Sequence, residues 1–193
     1  MPSPTGTCAA LALAAAASLT LTAPPAGGAD PAPPVGAAPD RAAAVRAAHT
    51  ASLQLAAAYR ATGAYQNQHT AEAAGYLPDR YCVPGRPGAG GLGYPHFNHA
   101  HDNSRDPARP SALIYTDDAR GNRRLAALEW VSTGRERPPD MFGAAFNGPI
   151  PGKFPGQPDH YTLRVWLWKE NPSGRFALYN PDVRCRPGTT RPA

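Results

Sequence analysis

Two cysteines limit this chain more than any other feature. The sequence holds three, but Cys8 stands at the head of an apolar run, "CAALALAAAASLTLTA", that ends before Pro24. The run is too short and too rich in alanine to span a bilayer comfortably. Behind it, Gly27 and Ala29 place small residues where a signal peptidase reads them, so residues 1–29 are expected to be a secretory signal peptide. No Lys or Arg precedes the run, and the competing reading is a disordered Ala/Pro-rich tail. Cys8 precedes the apolar run, which argues against a lipid anchor there. Cleavage leaves Cys82 and Cys185, and an even count in an exported chain points to one disulfide bond. Two thiols, buried or metal-binding, are the alternative, although neither has a CxxC-type partner. A bridge closing a loop of about 100 residues is worth about 4–5 kcal/mol in the chain-entropy model.

Residues 30–39 read as a Pro-rich linker and 40–193 as a single domain. Asp40 is a natural N-cap for "RAAAVRAAHTASLQLAAAYRAT", with Gly63 as its stop or kink. Val45, Ala48, Ser52, Leu55, Ala56 and Tyr59 form the expected apolar stripe. A second helical stretch covers about 64–74 and stops at Gly75. From Cys82 to Asn98 the sequence reads as turns. The segments 111–117 and 123–131 read as a β-hairpin. In its second strand Leu125, Ala127, Glu129 and Val131 share one face, and Ala126, Leu128 and Trp130 the other. The clearest strand pattern is 160–169: Tyr161, Leu163, Val165 and Leu167 face one way, and Thr162, Arg164, Trp166 and Trp168 the other. "NPSG" (171–174) is a type I turn that should return 175–180 as an antiparallel strand. A long Pro/Gly-rich loop, 137–159, separates the two hairpins. Helix followed by paired strands makes an α+β fold, an antiparallel sheet of about four to five strands with the helix on one face.

The net charge is +5, nearly all from arginine, but the clusters at 120–124, 135–137 and 184–191 are short and scattered. Without a basic stripe interleaved with aromatics, nucleic acid is not an expected partner; no transmembrane segment is expected after cleavage. "GYPHFNHAHDNSRD" (93–106) supplies His96, His99 and His101, with Asp102 adjacent. On a strand, His99 and His101 would present both rings to one ion, zinc or copper, with Asp102 or Glu129 adding oxygen. Gly93, His99 and His101 also match the opening of a cupin metal motif, with Asp106 at the glutamate position, but the later glycine is absent. The simpler reading is a polar turn capped by Asn98, Asp102, Asn103 and Ser104. Trp166, Trp168 and Arg164 form either a core face or an aromatic platform for a sugar or peptide. If that face is core, Arg164 needs a partner, and Glu129 is the first candidate. No nucleophile elbow, phosphate loop or HExxH motif is present, so no catalytic residue is assigned.

"GLGYPHFN", "LAALEWV" and "LRVWLWKENPSGRFALYNPDVRC" carry the patterns GxGY…N, LxxxEW, WxWxxNPxGxF and NPxVxC. Over roughly residues 55–185 these runs resemble a family of exported bacterial proteins with no assigned activity. The resemblance implies a histidine after the GxGY turn, a glutamate in the LxxxEW strand and a second histidine in the WxW strand, converging on a metal or catalytic site. Here Pro95 follows Tyr94, His96 is displaced by one, and the WxW-strand position is Arg164, which cannot bind a metal. Either the site is lost or Arg164 pairs with Glu129. The combined expectation is an exported, non-enzymatic binding protein, its site between the 93–102 loop, the Glu129 strand and the 142–160 loop. The alternatives are a metal protein or metal-dependent hydrolase using His96, His99 and His101, and a sugar- or peptide-binding surface at Glu129, Arg164, Trp166 and Trp168.

Overall fold

A computed structural model describes residues 40–152 and 156–192, all within one unit, Pro39–Ala193. The expected signal peptide and linker lie outside the described residues. Helix α1 runs Arg41–Thr62, and the Asp40 side chain accepts from Ala42 N at 3.0 Å, as an N-cap should. Only its C-terminal half packs: Ala58 and Thr62 are buried and Leu55 is half-buried, whereas Val45 is 62 % exposed. The expected stripe therefore holds only toward its end. An alanine-rich helix forms on propensity without burying its first turns.

Helix α1 ends at the expected Gly63, though without a left-handed cap. That residue keeps right-handed helical angles (φ −56°, ψ −38°), and the chain tightens into a 3₁₀ turn at Gly63–Gln66. Asn67 then caps α2, Gln68–Ala73, by accepting from His69 N. The second helical stretch stops, as expected, at Gly75, at φ +89°. There Tyr76 N donates to Ala71 O and Gly75 N to Glu72 O, the paired bonds of a Schellman cap.

The fold is α+β with an antiparallel sheet, but seven strands replace the expected four to five. They are β1 (Leu77–Pro78), β2 (Val83–Pro84), β3 (Gly91–Phe97), β4 (Ala112–Asp117), β5 (Arg123–Thr133), β6 (Asn147–Ile150) and β7 (His160–Trp166). The order is β1-β3-β4-β5-β7-β6, with β2 also on β3. Strand β3 corrects the reading of 82–98 as turns. Its glycines serve close approach: a Cβ on Gly93 (φ +102°) would lie 2.3 Å from Tyr115 O. Pro95, which cannot donate, still accepts from Asp79 N through its carbonyl.

The hairpin β4–β5 forms as expected, with one difference. A bulge between Ile114 and Tyr115 pairs Tyr115 with Leu125 but Ile114 with Ala127. The extra residue turns Leu125 to the same side as Leu128 and Trp130, off the Ala127 face. The segment 175–180 is not a strand. Its carbonyls are taken by β7: Trp166 N donates to Arg175 O and Trp166 Nε1 to Ala177 O. The NPSG turn is present, closed by Gly174 N to Asn171 O at 2.9 Å.

The helical segments cover one sheet face, over Leu113, Tyr115, Leu128, Trp130, Leu163 and Val165. Phe142 N donates to the α1 side chain Gln54, Tyr115 Oη to Tyr65 O, and the Trp168 ring stacks on Tyr59 at 4.0 Å. The opposite face holds a smaller cluster, Ala112, Ile114, Ala127 and Trp166 with Leu92 and Val183. Because β7 ends at Trp166, Trp168 escapes the alternation. The two tryptophans, expected on one face, lie on opposite ones.

Candidate functional site

The face away from the helix does not fill. Beyond the Trp166 cluster it opens into a cavity of about 760 Å³. The sheet supplies the floor. In register, Glu129 stands opposite Arg164, Val131 opposite Thr162 and Thr133 opposite His160, and all six line the cavity. These residues share a face because side chains alternate at period two and the register is antiparallel.

Two chain segments build a wall, residues 79–84 and 178–191. Three contacts lace them together. Cys82 and Cys185 form a disulfide bond with Cα atoms 5.5 Å apart. Cys82 N donates to Thr189 O at 2.8 Å, and Arg191 Nη2 meets Asp79 Oδ2 at 2.9 Å. The expected covalent tie therefore exists, and it staples a wall of the cavity.

Glu129 and Arg164 form the expected pair. Arg164 Nε donates to Glu129 Oε2 at 2.9 Å and Nη2 to the same oxygen, while Nη1 donates to Leu178 O. Each residue is 6 % exposed. A buried guanidinium this well engaged positions a wall segment as well as a carboxylate. Two residues that line the cavity each carry a side-chain oxygen buried without a partner among the described residues, Thr162 Oγ1 and Asp102 Oδ1.

The three histidines separate. His99 is exposed, with Nδ1 3.0 Å from Asp102 Oδ2 and its ring stacked on Phe97. His101 Nδ1 lies 3.1 Å from Pro110 O and 3.2 Å from the Tyr76 hydroxyl. His96 is 1 % exposed, pairs in register with Leu113, and rests against the Tyr115 ring on the helix side. Its Nδ1 has no partner, and burial lowers its pKa from the ordinary imidazole value. His99–His101 is a 3₁₀ turn capped by Asn98, not a strand, so two-residue spacing does not align the rings. Among the described residues no group of three or more His, Cys, Asp or Glu side chains is placed to hold a metal ion.

Neighbouring residues of β3 face opposite sides of the sheet. Pro95 lines the cavity with Glu129 and Arg164, whereas His96 points to the other side of the sheet. Residues 95, 129 and 164 therefore line one cavity. In this chain they carry Pro, Glu and Arg.

Trp166 is 4 % exposed and Trp168 is packed on α1; neither lines the cavity, and no exposed Trp–Trp platform exists. Sequence reasoning missed Thr162 as a site residue, although the period-two pattern already put it beside Arg164. It also missed the 79–84 wall, because turn-rich sequence carries no signal of what it covers. No family model, curated protein or solved structure matches the chain. Among the described residues no helix is long and apolar enough to cross a membrane.

Proposed function

We propose that this chain is an extracytoplasmic, non-enzymatic binding protein whose site is the cavity on the open sheet face. The carrying observation is the cavity itself: about 760 Å³ on a rigid sheet floor, beside a wall closed by a disulfide bond. Cavities of this size with a few convergent polar groups are where small organic molecules bind. Its charged groups are tied to protein partners, Glu129 to Arg164, Asp102 to His99 and Asp79 to Arg191. Such locked pairs hold a shape, which suits binding better than proton transfer.

Export is part of the proposal. The disulfide bond is of a kind that persists in oxidising compartments. The apolar run ahead of Gly27 and Ala29 reads as a secretory signal. Membership of the family of exported proteins that the chain resembles belongs to the same reading, supported by the convergence of positions 95, 129 and 164.

Non-denaturing mass spectrometry of protein recovered from the culture medium tests the proposal. The expected result is a chain lacking its first 29 or so residues, carrying a bound small molecule that Val131→Trp eliminates. Retention inside the cell with Cys82 and Cys185 reduced, or a bare chain in both forms, would contradict it.

A further inference from the structure

We infer that the cavity takes a neutral, lipid-like small molecule, an alkyl or ring body with no ionised group; the inference deepens the binding reading above and rests on it. It starts from apolar side chains that the hollow face leaves half-covered. Val83, Phe97, Val131, Ile150, Leu178 and Tyr179 are each half-buried, and all line the cavity. They come from several directions: β3, β5 and β6 of the sheet, and the two wall segments around Val83 and Leu178. Val83, Phe97 and Tyr179 also pack against the Trp166 cluster, so the lining continues that core into open space. Single exposed apolar residues need no explanation, but a set gathered around one hollow marks a binding surface.

The charged groups of the lining already have partners. Arg164 donates to Glu129 Oε2 through Nε at 2.9 Å and through Nη2, and to Leu178 O through Nη1. Arg191 Nη2 meets Asp79 Oδ2 at 2.9 Å, and His99 Nδ1 meets Asp102 Oδ2 at 3.0 Å. An ionised ligand group needs a counter-charge when it leaves water, and here it would have to draw one from an existing pair. Glu129 and Arg164 are each 6 % exposed, so parting them would leave a second buried charge unmatched. A neutral molecule gains the apolar contact and leaves every pair intact.

Three probes with one body and different heads separate the chemistries: 1-octanol, octylamine and octanoate, titrated calorimetrically into the oxidised full chain at neutral pH. A fourth, 1-hexanol, measures how much of the body is buried. The alcohol 1-octanol should bind at least about tenfold tighter than either ion. It should exceed 1-hexanol by about fifteenfold, or about fourfold for each buried methylene. Val131→Asp and Ile150→Asp each add a carboxylate without a partner at a half-buried lining position, and each should move octylamine ahead of 1-octanol.

Octylamine or octanoate binding as tightly as 1-octanol, or 1-hexanol matching 1-octanol, would overturn the neutral, apolar assignment and leave the binding role standing. An unchanged order in both folded variants would place the alkyl body outside the cavity and overturn it as well. The unsubstituted chain is read on its own, so a variant that fails to fold does not spare the proposal. Failure of all four probes with the oxidised, folded chain would overturn both the assignment and the binding role.

Discussion

The two faces of one sheet solve opposite problems. On the helix side, Leu113, Leu128, Trp130 and Leu163 are wholly buried against helical segments and the 141–146 loop. On the other side, equally regular strands carry Glu129, Val131, Thr162 and Arg164 beneath open space. Alternation at period two writes both faces into the same residues, so neither can change register without the other. The dry face supplies stability and fixes the backbone. The hollow face spends that rigidity on holding polar atoms apart.

Breaking the floor should give the largest effect. Glu129→Ala leaves a buried guanidinium facing a cavity without its carboxylate and should cost about 3–5 kcal/mol in denaturant unfolding. The double substitution Glu129→Leu, Arg164→Met should recover most of that loss, since a matched apolar pair needs no ion partner. Next comes the wall. Cys82→Ser with Cys185→Ser should destabilise by about 2–5 kcal/mol, and amide exchange should speed up in 79–84 and 178–191 while β5 stays protected. Equal loss of protection throughout would erase the distinction between wall and floor.

A smaller effect separates the orphan polar groups on the two faces. Thr162→Val should be neutral or more stable by about 1 kcal/mol, because it removes an unmade hydrogen bond, and thermal unfolding reads it directly. His96, the orphan on the dry face, acts through pH. Its folded pKa is lowered by burial, so the unfolded chain binds the extra proton. Its stability contribution is complete above the ordinary imidazole pKa and is lost as pH falls through the lower folded value. The melting temperature of the native chain should therefore fall below about pH 6.5, and His96→Phe should flatten that slope. An unchanged slope would place the acid sensitivity elsewhere.

Much of the floor was legible in the sequence, and most of the wall was not. Alternating residues in 123–131 and 160–166 gave the faces of Glu129 and Arg164, and the need of a buried guanidinium for a carboxylate made Glu129 the first candidate partner; the register itself was not legible. Cys82 and Cys185 were legible by count. Strand β3 was hidden because its glycines and proline are turn formers by propensity; close approach to Tyr115 and pairing through carbonyls overrode that preference. The 175–180 segment failed in the other direction. Its pattern is strand-like, but Arg164 and Trp166 take its carbonyls through side chains and ladder ends. The bulge that turns Leu125 leaves no trace in composition. The place of the cavity was expected between the 93–102 segment, the Glu129 strand and the 142–160 loop, and residues of all three line it; its size was not legible, since emptiness depends on which residues are absent from above a strand.

The contrast between a solid face and a hollow one is tested most directly by adding volume to each. Denaturant unfolding of Val131→Trp and Ala58→Leu, measured side by side, is that test. Ala58 is fully buried between α1 and the sheet, so the larger side chain there should cost about 1–3 kcal/mol. The tryptophan at position 131 should enter open space and change stability by no more than about 0.5 kcal/mol. Comparable losses in both variants would mean that the second face is packed as tightly as the first, and the account of a binding cavity would not stand.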